Sequence, residues 1–351
     1  MQEIFGLFVL SFCLTFGLIE IFKRIFKKLN FIDNPKKYGY KREPVPYGMG
    51  IIFIINLLIL ALLFIEPNEK LGLILGFGSL VTAVSFIDDR VEVSAKIRLL
   101  IQIIIGATIA INSIKIGYIS NIFGGIINLE TYFIEILNLK IYLIPLIFTI
   151  VWYVLIFNAM NWTDGERGMT LGVSFISYFV LFILAFMLFN TDTYQGGIEN
   201  AVFIMKLTSI LMGSVLIFWF YEVKEKLLLG DSGTMFLGFM LASLAIISGG
   251  KIATVFAVFG IYLVDAFYVI INRLMRKQNP LKGDFTHLHH RLHKLGLTKY
   301  QILSIVYSLS LIFGISALFL DKTGKIIVFI IIALLVVFMT KILEKFKINK
   351  K

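Results

Sequence analysis

All four histidines of this 351-residue chain fall in one short segment, GDFTHLHHRLHKLG, which begins at Gly283. They are His287, His289, His290 and His293. Imidazoles beside Arg291 can donate hydrogen bonds to phosphate groups, and an ordinary imidazole changes charge near neutral pH. The segment therefore predicts a cationic pocket for phosphates. The alternative is a zinc site, because His289 and His293 stand four residues apart, as helical zinc ligands do.

Three clusters of acidic and amide side chains stand at the ends of apolar runs. They comprise Asp88 and Asp89 in SFIDDR, Asn158, Asn161 and Asp164 in FNAMNWTDGERGM, and Asp231 in LLLGDSG. Several oxygen ligands close together suit a hard cation such as Mg²⁺, which takes one or two carboxylates and completes its shell with waters or substrate phosphates. Brought together by helices, these clusters would suit a magnesium-dependent reaction of diphosphates.

Each cluster also has a structural interpretation, and the sequence leaves both open. Asp88 and Asp89 can be interfacial acids that nearby cations neutralise. Those cations are Arg90, Lys96 and Arg98. The amide and acid groups spaced by three residues share one helix face, which ends at Gly165, where turn residues are expected anyway. Asp231 can simply cap the N-terminus of a helix.

Asp265 differs from the other acids because it lies inside an apolar run. It precedes Arg273 by eight residues, which corresponds to about 12 Å along a helix at 1.5 Å per residue. An acid at mid-membrane depth costs about 2.5–3.5 kcal/mol on insertion scales, so it indicates function. A buried polar contact between helices is the alternative.

The elements that must position these residues are membrane-spanning helices. The chain is 58% apolar and 16% charged, with a mean hydropathy of +0.90. Apolar runs of roughly 20 residues, each long enough to cross a bilayer, recur along its length. They lie near 4–22, 48–65, 71–88, 99–114, 141–160, 169–189, 201–220, 232–248, 252–272, 300–320 and 326–340. The sequence predicts an all-α polytopic membrane protein with about 11 transmembrane helices, ten being the alternative count.

The distribution of basic residues predicts the orientation. With the N-terminus outside, most of the 33 Lys and Arg residues fall in inner loops. The outer loops hold only Lys70, Lys115, Lys140, Lys251, Lys322 and Lys325. By the positive-inside rule the C-terminus and the acidic and histidine clusters are cytoplasmic. The net charge of +11 then reflects topology and anionic lipid, and no nucleic-acid partner is expected.

The sequence indicates a single integral membrane domain, 1–351. Within it, 115–140 is expected to form an extracytoplasmic, hairpin-like loop around Gly124-Gly125, and 273–299 a cytoplasmic loop that carries the histidines. Cys13 has no partner for a disulfide and is expected to serve packing. The N-terminal run lacks a basic start and a cleavage site, so we expect it to remain as a helix.

Five motifs in order resemble those of the polyprenyl-phosphate N-acetylhexosamine-1-phosphate transferases. They are PVPYGMG from Pro44, DDRVEVSAKIRLLIQ from Asp88, NAMNWTDG from Asn158, LGDSG from Leu229 and HLHHRL from His287. The resemblance covers nearly the whole chain. The histidine motif and the extra helix are more similar to the branch that transfers N-acetylhexosamine phosphates than to the muramyl-pentapeptide branch.

This resemblance implies an activity and partners. A UDP-N-acetylhexosamine, most simply UDP-GlcNAc, would donate its sugar phosphate to polyprenyl (undecaprenyl) phosphate and release UMP. The reaction would need Mg²⁺, with Mn²⁺ as an alternative, and would be the first membrane step in making a cell-envelope glycan. It would take place at the cytoplasmic membrane, in a multi-pass protein that can form a homodimer.

The resemblance also implies a role for each residue that matches a motif. Asp88 would deprotonate or position the lipid phosphate and Asp89 would support the network, while Asp231, with Asn161, would bind the metal. The residues expected to hold the nucleotide sugar and its diphosphate are Asn158, Asp164, His287, His289, His290 and Arg291. Weaker candidates are Asp265, Lys96, Arg167 and Trp162. His293 lies outside the motif and is expected to be incidental.

Two departures from the family pattern fall on the expected nucleotide site. The chain reads DGERG, with Glu166 and then Arg167 where the family has a second Asp. Leu228 stands where the family commonly has an aromatic ring that stacks on uracil. Losing such a ring would cost about 1–3 kcal/mol, by analogy with aromatic–base stacking. We expect Trp162 or Arg167 to compensate.

Two other classes compete with the transferase. A transporter would also have many helices and intramembrane acids, but its sites belong near the midplane and between repeats. A CDP-alcohol phosphotransferase would need further acids downstream, which DGERGMTLGVSFISYF does not supply.

Overall fold

The fold is known from a computed structural model, which describes residues 1–35, 43–91, 93–121, 124–136, 139–190, 197–249, 252–277 and 287–348. Its helices are α1 (Gln2–Lys28), α2 (Ile51–Phe64), α3 (Glu69–Val91), α4 (Ala95–Ile111), α5 (Leu143–Thr163), α6 (Met169–Phe189), α7 (Gly197–Val223), α8 (Gly230–Ile247), α9 (Ile252–Met275), α10 (Leu288–Lys294), α11 (Lys299–Phe319) and α12 (Lys322–Ile348). Its strands are β1 (Tyr118–Ser120), β2 (Ile126–Asn128), β3 (Phe133–Ile136) and β4 (Leu139–Tyr142).

Every predicted span corresponds to a helix, so the protein is a polytopic, mostly helical membrane protein. Within the part of the chain that the structure describes, nine helices are long and apolar enough to cross a membrane. The other two predicted spans are α2, with 14 residues, and α4, with 17. Both are shorter than the roughly 20 residues that cross a bilayer perpendicularly. The count of eleven and the orientation remain predictions.

The centre of the bundle is α8, in which nearly every residue is buried. α3 and α5 pack most extensively against it, α6, α2, α9 and α7 make smaller contacts, and on the outside α1 packs against α7 and α12 against α9. A helix that is apolar on all sides belongs inside a bundle. This arrangement places the first turn of α8, which carries Asp231, among the ends of several neighbouring helices.

The first two helices are tied to α7 by buried polar side chains. Asn56 donates to the Ser11 carbonyl (3.1 Å) and to Thr15 Oγ1 (2.9 Å), and Thr15 in turn donates to Ser214 Oγ (2.9 Å). Hydrogen bonds between helices add to packing where lipid provides no hydrophobic driving force. They fix α2, and with it the Gly-rich loop that directly precedes α2.

The segment 115–140 contains two antiparallel hairpins where one was expected. Tyr118 pairs with Asn128 in the first, and Phe133 with Tyr142 in the second. A salt bridge between Lys115, before β1, and Glu130, after β2, closes the base of the first hairpin (3.2 Å). The side of the membrane on which they lie stays a prediction.

Candidate active site

The Gly-rich loop after Pro44 is hydrogen-bonded to the segment that precedes α8. The Leu228 N–H donates to the Pro46 carbonyl (2.9 Å), and in return Met49 donates to Leu228 (3.1 Å) and Gly50 to Leu229 (3.0 Å). Leu228 is fully buried in this pairing. Because its side chain faces the protein interior, Leu228 cannot replace an aromatic ring against a base.

The closeness of these two segments depends on glycine. A Cβ on Gly50 would lie 2.1 Å from the Gly233 backbone nitrogen. Gly230 has a φ of +75°, and a Cβ there would lie 2.7 Å from Asp89 Oδ2. Real Cβ atoms do not approach other heavy atoms this closely, and positive φ favours glycine. The motifs PVPYGMG and LGDSG therefore use glycine for backbone contact.

Asp89 caps α8 from a neighbouring helix. Its Oδ1 accepts the Asp231 N–H (2.6 Å) and its Oδ2 the Ser232 N–H (3.2 Å). The residue at the N-cap position, Leu229, has no side-chain oxygen for the purpose. The capping interpretation of Asp231 is thus wrong, and Asp89 supplies the cap. Burial raises the pKa of the Tyr47 hydroxyl, and the negative charge of Asp89 raises it further. The hydroxyl therefore stays protonated beside the Asp89 carboxylate.

The carboxylates of Asp88 and Asp231 meet at one guanidinium group. Arg98 Nη1 lies 3.3 Å from Asp88 Oδ2 and 3.1 Å from Asp231 Oδ2. The other oxygen of Asp88 accepts the Val93 N–H (2.6 Å), which fixes the side chain at the junction of α3 and α4. Two motifs separated by more than 130 residues thereby form one centre.

Arg98 is the cation that both carboxylates contact, whereas the sequence analysis did not rank it above Arg90 and Lys96. The Arg90 guanidinium lies over the Phe31 ring, 3.9 Å from its centroid, and donates to the Leu29 carbonyl. Lys96 is exposed at the start of α4. The expectation that Lys96 contributes to the site gains no support from its position. One helical turn separates Arg98 from Gln102, which would have been the better signal.

The polar face of α5 points toward this centre. Asn161 donates to Asp231 Oδ1 (3.0 Å), and Asn158 donates to Gln102 Oε1 of α4 (2.8 Å). Asp164 follows the last residue of the helix and is one turn beyond Asn161. The predicted three-residue spacing thus places two of the side chains against α8 and α4.

Asp164 carries a buried oxygen with no hydrogen-bond partner in the described part of the chain. Burial raises the pKa of this carboxyl well above its ordinary value, and the negative charge of Glu222 raises it further, while Arg167 acts in the opposite direction. A buried polar atom without a partner is costly, and such atoms occur where a ligand or an ion binds. Asp164 therefore marks a position where the site can accept a ligand.

The donor set fits Mg²⁺ better than zinc. Asp88 and Asp231 place carboxylate oxygens within reach of one cation, which is Arg98, and Asn161 adds an amide. Mg²⁺ needs only one or two carboxylates when substrate phosphates complete its shell. A structural zinc site needs four side-chain ligands. In the described residues, no three His, Cys, Asp or Glu side chains are grouped closely enough to hold a metal.

The short helix α10, which carries the histidine motif, is held by Asp265 of α9. One carboxylate oxygen accepts the Leu288 N–H (3.1 Å) and shares a hydrogen bond with His287 Nδ1 (2.9 Å). The other oxygen forms an ion pair with Arg291. Asp265 is therefore the polar contact that the sequence offered as the alternative, and it joins α9 to α10. Residues 283–286, the start of the motif segment, lie outside the described residues.

His289 lies against the loop that follows α5. It is buried, and a Cβ on Gly165 would lie 1.9 Å from its Nε2, which has no hydrogen-bond partner among the described residues. Burial lowers the pKa of His289 to about 2, and burial also lowers the pKa of His290. Burial therefore favours the neutral form of both imidazoles, against the charged, proton-carrying rings predicted from the sequence. Whether these rings carry a proton when a phosphate binds stays a prediction.

Two further contacts join α10 to the same loop. The Trp162 and His287 rings stack with their centroids 5.5 Å apart, and His293 Nε2 pairs with Glu166. The expectation that His293 is incidental to the site stays a prediction. Among the described residues no three His, Cys, Asp or Glu side chains are close enough to hold a metal, so His289 and His293 gain no support as zinc ligands. Whether Trp162 also meets a nucleotide stays a prediction.

Sequence reasoning missed Glu222, the last acid of α7. It is fully buried and accepts the Gly168 N–H (3.0 Å) and the Leu229 N–H (2.9 Å). Its position at the end of an apolar run, shortly before LGDSG, is the same signal that identified the other acids. Glu222 links the DGERG loop to the start of α8.

A mainly apolar groove leads away from Asp88 and Arg98 between α3, α4, α5 and α8. Its apolar lining includes Val81, Val84, Ile101, Ile105, Phe157 and Met235. Ser85, about one helical turn from Asp88, and Gln102, one turn from Arg98, are the uncharged polar residues of the lining. The groove therefore joins a charged end to an apolar interior, as an amphipathic molecule would require.

These features define a polytopic membrane enzyme whose polar centre unites the ends of several helices. A family model described as glycosyl transferase family 4 matches residues 71–249, about half of the chain, and the protein belongs to this family. The matched residues include Asp88, Asp89, Asn161 and Asp231.

Relatives span nearly the whole chain. A Bacillus subtilis (strain 168) protein named "Probable undecaprenyl-phosphate N-acetylglucosaminyl 1-phosphate transferase" is 28% identical over 346 residues, which cover 96% of this chain and 90% of the relative. The phospho-N-acetylmuramoyl-pentapeptide-transferase of Staphylococcus carnosus (strain TM300) is 26% identical over 342 residues, which cover 90% of this chain and 99% of the relative. The enzyme of the same name in Petrotoga mobilis is 28% identical over 336 residues, which cover 90% of this chain and 98% of the relative. The chain is thus a glycosyl-1-phosphate transferase, and the transporter and CDP-alcohol alternatives are set aside.

Proposed function

We propose that the protein transfers N-acetylglucosamine 1-phosphate from UDP-GlcNAc to undecaprenyl phosphate in the cytoplasmic membrane. The products are a polyprenyl-diphosphate-linked sugar and UMP. The donor and acceptor are those implied by the name of the Bacillus subtilis relative. Such a reaction begins the synthesis of a cell-envelope glycan, such as lipopolysaccharide, teichoic acid or another polysaccharide.

The observation that carries the proposal is the position of the charged centre at the end of the apolar groove. Asp88 and Arg98 line the same groove as Val81, Val84 and Ile105. A long isoprenoid chain needs an apolar surface, and its phosphate needs a cation. Arg98 is partly exposed, so its guanidinium is accessible to such a phosphate.

The chemical step is a displacement at the β-phosphorus of the donor. An oxygen of the lipid phosphate forms a new bond to this phosphorus, and the bond to the oxygen bridging the two phosphates breaks, so that UMP leaves with that oxygen. Asp88 orients Arg98 toward the acceptor phosphate and can take its proton. Direct attack in one step needs no covalent enzyme intermediate.

Mg²⁺ is part of the proposal, with Mn²⁺ as an alternative. Asp231 and Asp88 would hold the ion, and Asn161 would orient Asp231 through the hydrogen bond described above. When bound, the ion would neutralise the charge of the diphosphate and of the departing UMP. Asp89 keeps Asp231 in place by capping α8.

The donor is proposed to bind between the DGERG loop and α10. Asp164, with its unpartnered buried oxygen, lies on one side, and His287, His290 and Arg291 lie on the other. The neutral ring of His289 can still donate one hydrogen bond from a nitrogen to a phosphate or carbonyl oxygen. Asn158 supports this side of the site through Gln102.

The assignment of the groove can be tested by filling it. Val84→Trp adds bulk to the lining of the groove, whereas Ile87→Trp adds the same bulk to an exposed position of the same helix. We expect Val84→Trp to raise the KM for undecaprenyl phosphate about tenfold and to leave the KM for UDP-GlcNAc unchanged. An unchanged lipid KM, or an equal rise in Ile87→Trp, would show that the acceptor binds elsewhere.

A further inference from the structure

The carboxylate of Glu222 connects two loops on opposite sides of the site. Oε2 accepts the N–H of Gly168, which ends the DGERG loop, and Oε1 accepts the N–H of Leu229, which precedes the first turn of α8. Both bonds are buried. Because losing a buried hydrogen bond leaves a backbone donor without a partner, the Glu222 side chain holds both backbone segments in place.

The DGERG loop has a second anchor on its other side. The Gly168 carbonyl accepts the Tyr307 hydroxyl (2.5 Å), and Trp219 Nε1–H donates to the same hydroxyl oxygen (2.9 Å). Gly168 has a φ of +89°, and a Cβ there would lie 2.3 Å from Val223 Cγ2. The N–H and the carbonyl of Gly168 are therefore both fixed, by α7 and α11 respectively.

The DGERG loop, which these hydrogen bonds hold on two sides, carries residues at the proposed donor side of the site. Asp164 begins it, Gly165 contacts His289, and Glu166 pairs with His293. Leu229 is followed two residues later by Asp231. The two N–H groups that bind Glu222 thus belong to the DGERG loop and to the segment that carries Asp231.

We propose that Glu222 is a positioning residue for the nucleotide-sugar donor. It fixes the separation between the DGERG loop and α8, and Tyr307 supports it from α11. This inference rests on the proposed transferase activity and adds a residue that determines donor affinity. Glu222 itself lies behind the loop and is not a group that touches the substrate.

The test compares Glu222→Gln with Tyr307→Phe and a control. Gln keeps the shape of the side chain, but its amide nitrogen cannot accept an N–H, so one of the two hydrogen bonds is lost. Phe removes the hydroxyl, and with it the bond to the Gly168 carbonyl and the bond from Trp219 Nε1–H, but leaves the Glu222 bonds in place. The control is Glu225→Gln, the same charge change at the same end of α7, where the side chain meets Lys299 near the surface.

We expect Glu222→Gln to raise the KM for UDP-GlcNAc about tenfold, with the KM for undecaprenyl phosphate changed less than about twofold. Tyr307→Phe should raise the donor KM in the same direction by a smaller factor. Glu225→Gln should match the wild type. Equilibrium binding of UDP-GlcNAc to the detergent-purified protein, without lipid, should show the same order.

Other results would overturn the inference. If the wild type is active and Glu222→Gln raises both KM values equally, or lowers only kcat or Tm, Glu222 is merely structural. If Glu222→Gln does not fold, an unchanged donor KM in Tyr307→Phe overturns the inference. A wild type that binds UDP-GlcNAc but releases no UMP would instead refute the proposed function, and the binding comparison would still decide the role of Glu222.

Discussion

At the scale of single residues, the site separates groups that face the reaction from groups that hold them. Both carboxylate oxygens of Asp89 accept backbone N–H groups of α8, and both oxygens of Asp265 contact residues of α10. Asp88 and Asp231 instead share a cation. Asp89 and Asp265 can therefore position their neighbours, whereas the partly exposed Arg98 shared by Asp88 and Asp231 leaves room for a ligand beside these two acids.

The neutral state of His289 leads to a prediction about pH. The unfolded chain binds a proton at this histidine below about pH 6.5, while burial lowers the pKa in the folded protein to about 2. The contribution of His289 to stability is therefore present above pH 6.5 and is lost as the pH falls, by at most about 1.4 kcal/mol per pH unit. In thermal unfolding between pH 7 and pH 5, we expect the Tm of His289→Gln to fall less than that of the wild type.

Parallel Tm curves for the two proteins would contradict this account of His289. They would mean that the ring is accessible to protons in the folded state, and that the charged imidazole predicted from the sequence exists there after all.

The residue types could be read from the sequence, but their partners could not. Periodicity placed Asp88, Asn161 and Asp231 at helix ends, and the structure brings these ends together. The one-turn spacing of Arg98 and Gln102 favours Arg98 over Lys96, but the sequence does not show that this face of α4 points to α8. Glu222 carries the same helix-end signal as the other acids, but its two partners, which lie in other segments, could not be predicted.

At the scale of the elements, the site depends on two helix ends that approach more closely than side chains allow. The Gly-rich loop before α2 and the first turn of α8 contact each other through backbone atoms. The loop after α5 also needs a glycine, Gly165, because the His289 side chain of α10 occupies the space that a Cβ would take. Apolar runs of membrane length predicted the long helices of the bundle. The short α10 has no such run, and it falls within the segment 273–299 that was expected to be a loop.

Gly50 provides a test of this backbone contact. In Gly50→Ala the new methyl group would meet Gly233 backbone atoms, which cannot move without disturbing α8. We expect a loss of stability of about 1–3 kcal/mol and a fall in activity of at least about tenfold. The control is Gly76→Ala in α3, where an added Cβ meets no atom within 4 Å and should leave Tm unchanged or slightly higher. Equal behaviour of the two variants in Tm and activity would refute the close contact.

At the scale of the whole molecule, the bundle gathers motifs that are far apart in sequence around the first turn of α8. The centre joins α3, α4, α5 and α8, while Glu222 connects α7 to the DGERG loop and to the start of α8, and Asp265 connects α9 to α10. Composition alone predicted a polytopic helical bundle. It could not predict which helices are neighbours, because in a uniformly apolar helix no face is marked. The orientation, with the site on the cytoplasmic side, follows from the basic residues and stays a prediction.

The most direct test of the central claim is UMP release by the purified protein in detergent, given undecaprenyl phosphate and UDP-GlcNAc. We expect lipid-dependent UMP with Mg²⁺, none with EDTA, and a loss of at least about a hundredfold in Asp231→Asn, which removes one charge from the metal-binding pair. Folded protein that releases no UMP from UDP-GlcNAc or any other UDP-sugar would contradict the account. So would an Asp231→Asn variant that retains wild-type activity.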